Sequence, residues 1–202
     1  MLLLAASSKI ISAQPTMNRP ILITSFQPWL AHQRSNSSDD LVAALQKNSL
    51  MPQTAVWLRH LPVSFELAPE KVEKAVRQLQ PHAVICCGMA ESRQQLCVEK
   101  QAKWYPSAES QSSDGSSEHD SILCTNADIN KLTADTLMTS LSEDAGSFVC
   151  NHLYYSVLDL ANKVNWKMIV VFIHIPVLTS DNQTSLLKDF SQMVKKIAKD
   201  DA

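Results

Sequence analysis

Three residues with the chemistry of acyl transfer stand well apart in this 202-residue chain: Glu99, Cys150 and His174. A thiol supplies a nucleophile, an imidazole a general base, and a carboxylate a group that orients the base, the division of labour behind thiol-dependent amide cleavage. Each has a plainer reading when taken alone. His174 closes an apolar run, where a histidine is more often a satisfied core residue than a catalyst. A lone cysteine is usually a small buried hydrophobe. Cys150, however, stands near the start of a helix that follows Asp144-Ala145-Gly146, where unpaired N–H groups and the positive dipole end favour thiolate over thiol. Glu99 lies on the strand face opposite Leu96 and Val98 and by itself reads as a solvated charge. Spacing alone does not bring the three together.

The elements that must position them follow from hydrophobic periodicity. Residues 21–26 form a short apolar run that suits a central strand covered on both faces. Asp39 and Asp40 are expected to cap a helix carrying Leu41, Val42, Ala44 and Leu45. The alternation over 54–63 predicts a second strand, and Pro69 suits the first turn of a helix running to about residue 79. A third strand is predicted over 83–87, ended by Gly88, and an alternating one over 95–101. Residues 106–121 are Ser-rich and polar, which predicts a mobile surface loop or a lid. The stretch 128–141 fits either one helix or a short helix followed by a strand. Helical spacing returns over 148–160, and 168–175 is the strongest strand, stopped by Pro176. Leu186, Leu187, Phe190, Met193, Val194 and Ile197 mark a C-terminal amphipathic helix whose stripe is core packing.

Strands alternating with helices predict an α/β layered domain with a mostly parallel sheet. Reactive groups in such sheets gather beyond the carboxyl ends of the strands. That rule directs attention to His174, to the turn after Gly88 and to the helix start at Cys150.

Composition excludes several function classes. The net charge is −2, with Lys+Arg 18 against Asp+Glu 20 and no long run of one sign, so there is no basic face for nucleic acid or an anionic membrane. Only three glycines are present, where average usage would give about fourteen; no GxGxxG and no Walker A loop can be drawn. The five cysteines form no CxxC, which argues against a disulfide framework or a structural metal and for reduced thiols in the cytoplasm. No stretch approaches the roughly 18 apolar residues of a membrane span. Residues 1–17 lack a signal peptide's charged start and are expected to be a flexible extension, with a single domain over 18–202.

Several segments carry a resemblance: Thr24-Ser25-Phe26-Gln27-Pro28-Trp29, Leu61-Pro62-Val63-Ser64-Phe65, Gly88-Met89-Ala90-Glu91-Ser92-Arg93, Glu99-Lys100-Gln101-Ala102, Asp144-Ala145-Gly146-Ser147-Phe148-Val149-Cys150-Asn151 and Phe172-Ile173-His174-Ile175-Pro176. In order and spacing they resemble the pyroglutamyl peptidase I family, also called pyrrolidone-carboxylate peptidases. The resemblance implies a three-layer α/β/α sandwich with a mostly parallel central sheet. It implies a cysteine peptidase that removes N-terminal pyroglutamate from peptides without cofactor or metal, with Cys150 as nucleophile, His174 as base and later acid, and Glu99 orienting His174. Phe26 and Trp29 match the aromatics that flank the lactam ring, Phe148 and Val149 match pocket positions, and Arg93 matches an arginine close to the site. A homo-oligomer, dimer or tetramer, is also implied.

Departures from the family pattern cluster at the substrate side. Ser25 and Leu30-Ala31 stand where the family carries glycines, Trp29 replaces a smaller Phe, and Met89 replaces a glutamine. Trp104 replaces an asparagine, and the Ser-rich segment replaces a Pro-Asp-Asn loop. Two readings follow: a divergent pyroglutamyl peptidase, or a homologue that acts on another amide or acyl substrate or only binds a partner. A thiol redox sensor needs a resolving cysteine, which spacing does not supply.

Overall fold

The computed structural model describes residues 19–105 and 121–200. Along the chain run β1 (Ile21–Phe26), α1 (Ser37–Lys47), β2 (Ala55–Leu61), α2 (Leu67–Leu79), β3 (Ala83–Met89), β4 (Leu96–Glu99), β5 (Gln101–Lys103), β6 (Ile122–Cys124), α3 (Ile129–Thr133), β7 (Thr139–Ser142), α4 (Val149–Lys163), β8 (Ile169–Ile175) and α5 (Gln183–Lys199). Six strands form one sheet in the order β2-β1-β3-β8-β4-β7. The first four are mutually parallel, β4 runs antiparallel to β8, and β7 runs parallel to β4. The mostly parallel sheet expected from the sequence is therefore present, with one reversal.

Side-chain alternation divides the core into two layers. Ile21, Ile23, Ile85, Val171 and Ile173 pack on one face with Leu41, Leu45, Phe190 and Val194 of α1 and α5. Leu22, Val84, Cys86, Val170 and Phe172 pack on the other with Val72 and Val76 of α2 and Leu153, Tyr154 and Val157 of α4. Helices thus cover both faces, giving the three-layer α/β/α sandwich. Strands covered on both faces need apolar residues at nearly every position, which is why β1, β3 and β8 are close to continuous apolar runs.

Several local expectations are corrected. The cap of α1 is Asn36, whose side-chain oxygen accepts from the Ser38 N–H at 3.0 Å. Asp39 and Asp40 lie inside the first turn instead, where their charge suits the dipole. Gly88 does not end β3 but pairs within it, opposite His174. Residues 128–141 take the second of the two readings, α3 followed by β7. Asp189 of α5 fixes that break: its Oδ2 accepts from the N–H groups of Leu137 and Met138 at 2.9 and 2.6 Å and from the Thr139 hydroxyl at 3.0 Å. The antiparallel pair of β5 and β6 was not expected as a separate sheet. The proposed extension and all of the Ser-rich segment except Ser121 lie outside the described residues.

Candidate active site

The reversal of β4 is what brings a carboxylate to the histidine. In the antiparallel register Cys97 pairs with His174 and Glu99 with Phe172, so Glu99 and His174 project from the same face of neighbouring strands. His174 Nδ1 donates to Glu99 Oε1 at 2.7 Å. Glu99 is fully buried and His174 nearly so. Tyr154 of α4 anchors the strand by donating its hydroxyl to the Glu99 carbonyl at 2.9 Å.

Cys150 is the second residue of α4, and the helix cap, Phe148, is extended and contributes no side-chain bond to the first turn. N–H groups at such an end are donors for an anion. The thiol rests against the sheet above Gly88: a Cβ built at that glycine would lie 2.7 Å from Cys150 Sγ and 2.9 Å from Phe172 Cζ. Any side chain there would occupy the sulfur's seat. Burial alone would lower the His174 pKa, but the side chains of Cys150 and Glu99 outweigh it and raise the group to about 9. The sulfur and the carboxylate on either side thus favour the charged imidazole.

A cavity of about 270 Å³ opens over this pair, lined by Cys150 and His174 together with Phe26, Trp29, Met89, Phe148 and Val149. Trp29 and Phe148, both about half exposed, face each other with ring centroids 4.9 Å apart, and Phe65 stands edge-on to Phe148 at 5.5 Å. Trp29 and Phe148 are thus in ring contact and form one aromatic wall of the cavity, an apolar slot, with Phe65 backing Phe148. Met89 turns its sulfur to the start of α1, accepting from the Ser37 N–H at 3.3 Å. Arg93, expected close to the site as a substrate-binding residue by the resemblance, does not line the cavity. Its guanidinium donates to the Ser142 hydroxyl and the Asp144 carbonyl at 3.3 and 3.2 Å and lies 4.0 Å from Glu99 Oε1. It stands behind the carboxylate because the turn after β7, not the cavity, supplies its acceptors.

Other residues at the site were not singled out from the sequence, although Val63, Glu91 and Ala145 stand in the segments that carry the resemblance. Val63, Ala145, Asn36, Gln33 and Glu91 also line the cavity. Beneath Phe26, the buried Ser25 hydroxyl donates to Asp39 at 2.7 Å, and Arg59 grips the same carboxylate through two bonds of 2.8 and 2.7 Å. Burial alone would raise the Asp39 pKa; the Arg59 and Ser25 bonds outweigh it and hold the group below the usual carboxylate range. Ser25 beside Thr24 at the end of an otherwise apolar strand was the available hint. Ser38 Oγ then accepts from the Phe26 N–H at 3.2 Å, fixing the end of β1. Among the described residues no group of three or more His, Cys, Asp or Glu side chains is placed to hold a metal ion, and no helix is long and apolar enough to cross a membrane.

An α/β sandwich with a helix-start thiol, a buried imidazole and a carboxylate at the sheet's carboxyl edge has the constellation of a cysteine hydrolase. The family model for pyroglutamyl peptidase matches residues 19–196, and the chain belongs to that family; its activity class is that of a cysteine-type omega peptidase. It is 26% identical over 172 residues to the pyrrolidone-carboxylate peptidase of Bacillus cereus (strain Q1), covering 79% of each chain. To the corresponding peptidase of Brachyspira hyodysenteriae it is 28% identical over 173 residues, covering 78% of this chain and 83% of that one. The same fold is seen in pyroglutamyl peptidase I of Bacillus amyloliquefaciens, with a TM-score of 0.72 at 23% identity over 90% of this chain and 97% of the other. The pyrrolidone carboxyl peptidase of Thermococcus litoralis also shares it, with a TM-score of 0.70 at 20% identity over 90% and 94%.

Proposed function

We propose that the chain removes N-terminal pyroglutamate from peptides, with Cys150, His174 and Glu99 as its catalytic residues. One observation carries the assignment of roles: the buried Glu99–His174 bond of 2.7 Å lies beside the Cys150 thiol at the floor of an apolar cavity. The lactam ring enters the slot between Phe26 and the wall made by Trp29 and Phe148, with Met89 and Val149 closing its sides. The Cys150 thiolate attacks the carbonyl that joins pyroglutamate to the next residue, and the C=O electron pair moves onto oxygen. The first-turn N–H groups of α4 stabilise that oxyanion. As the tetrahedral species collapses, the C–N bond breaks and the His174 imidazolium gives its proton to the departing amine. Neutral His174 then takes a proton from water, hydroxide adds to the thioester, and free pyroglutamate leaves with the thiolate restored. Glu99 holds the imidazole in orientation throughout, and Arg93 holds the turn behind Glu99.

A second reading keeps the mechanism and changes the acyl group. Met89 favours it, because a thioether bound to the Ser37 N–H offers the slot no strong donor or acceptor for a lactam. The family membership favours pyroglutamate. We further propose that the domain spans residues 18–202, acts in the cytoplasm and assembles as a homo-oligomer. Hydrolysis of a pyroglutamyl coumarin amide, blocked by iodoacetamide and lost in Cys150→Ala, tests the principal reading. Turnover of other small acyl amides but not of the pyroglutamyl one would move the assignment to the second.

A further inference from the structure

Gln33 bridges the two sides of the cavity mouth. Its Oε1 accepts from the backbone N–H groups of Trp29 and Leu30 at 3.1 and 3.3 Å, while its Nε2 donates to Glu91 Oε1 at 2.8 Å. His32 Nε2 lies 3.5 Å from the same Glu91 oxygen. Both Gln33 and Glu91 line the cavity, yet they come from separate loops: Gln33 from the connection between β1 and α1, Glu91 from the turn after β3. An amide is suited to this place, because one end accepts from N–H groups while the other donates to a carboxylate. The charged acceptor strengthens that second bond. The consequence falls on Trp29, which is 52% exposed and so has little burial to hold its ring over Phe148. In this loop the chain carries Leu30-Ala31 in place of the glycine pair of the family pattern, and the Leu30 N–H is one of the two groups Gln33 holds.

We propose that Gln33 and Glu91 form a strap that positions Trp29 and thereby sets the width of the acyl slot, acting on substrate binding and not on bond making. Its kinetic form rests on the pyroglutamyl-amide reading above. If the loop is released, only part of the population presents a formed slot, and apparent affinity falls by that fraction.

The test combines steady-state hydrolysis of a pyroglutamyl coumarin amide with acrylamide quenching of Trp29 fluorescence, taken as the difference from matching Trp29→Phe proteins. Glu91→Ala and Gln33→Ala are expected to raise KM about threefold to tenfold with kcat changed by less than about twofold, and to increase Trp29 quenching. Glu91→Gln keeps a carbonyl acceptor for Gln33 and is expected to restore both readings. Unchanged KM and quenching in both alanine variants would overturn the strap. So would a fall in kcat at constant KM, or a Glu91→Gln variant as impaired as Glu91→Ala. If the wild-type protein does not turn over the pyroglutamyl amide, the substrate reading fails. The quenching series then decides the strap alone: a rise in Glu91→Ala reversed in Glu91→Gln supports it, and no rise refutes it.

Discussion

Cys150 Sγ fills the space that a side chain on Gly88 would take, 2.7 Å from where that Cβ would stand. The Cys150 thiol of α4 is thus seated by a missing side chain on β3, and the strand that carries the gap pairs directly with the strand that carries His174. Close approach of helix and sheet at this one point sets the distance between thiol and imidazole.

Gly88→Ala tests that seat. A contact under 3 Å to both Cys150 Sγ and the Phe172 ring forces one of them to move. Because the sulfur lies at the cavity edge and the ring is in the core, the sulfur is expected to yield. Activity should fall about 10²-fold, the penalty of a misplacement near 1 Å, with the melting temperature lowered only modestly. Thermal denaturation beside the coumarin-amide assay separates the two effects.

Glu99→Gln and Glu99→Ala are expected to lower kcat about 10²–10⁴-fold: alanine removes the acceptor, and glutamine replaces a charged, acceptor-only group with a neutral amide that neither fixes the tautomer nor stabilises the imidazolium. The 2.7 Å bond to Nδ1 is the structural reason. Alkylation of Cys150 by iodoacetamide should slow in the same variants near neutral pH.

His174 gives a pH dependence with a definite sign. Against the lowering effect of burial, the Cys150 and Glu99 side chains raise its folded pKa from the usual 6.5 to about 9. Its contribution to stability is therefore fully present below pH 6.5 and lost as pH rises through about 9. In the proposed mechanism the imidazolium protonates the leaving amine, and it disappears over the same interval, so kcat/KM is expected to fall on an alkaline limb near pH 9. Glu99→Gln should move that limb to lower pH, and a pH–rate profile of the two proteins checks it.

Asp189 makes a stability prediction away from the chemistry. Removing the carboxylate in Asp189→Ala leaves two backbone N–H groups of the turn before β7 without their acceptor. An unsatisfied donor costs roughly 1–3 kcal/mol; both N–H groups are only part-buried, which places each in the lower part of that range, and a loss of about 2–4 kcal/mol is expected by urea denaturation. Asp189→Asn retains an acceptor oxygen and should lose less.

Much of this frame was legible in the sequence, for identifiable reasons. β1, β3 and β8 are buried on both faces, an environment that favours apolar residues at nearly every position. The stripe of α5 was equally plain, yet Asp189 on the same helix was not singled out, because the N–H groups it satisfies lie about 50 residues upstream. Glu99 read as a solvated charge and is fully buried, since its partner lies on a strand 75 residues away. Which strands become neighbours, and in which direction, is decided by the whole sheet. Asp39 looked like a helix cap and is not, because Ser25 and Arg59 claim its oxygens and leave the cap to Asn36. Gly88 looked like a strand stop because a glycine's role in close packing is written in the residues that approach it. The Gln33–Glu91 strap had no local signature either, being two ordinary polar residues in separate loops.

The most direct measurement is pyroglutamate release from a pyroglutamyl peptide by the purified, folded protein, compared with Cys150→Ala prepared in the same way. The account predicts release by the wild-type chain at a kcat/KM at least about 10³-fold above that of the variant. Equal release by the two proteins, or none by the wild type at any pH from 6 to 9, would contradict it.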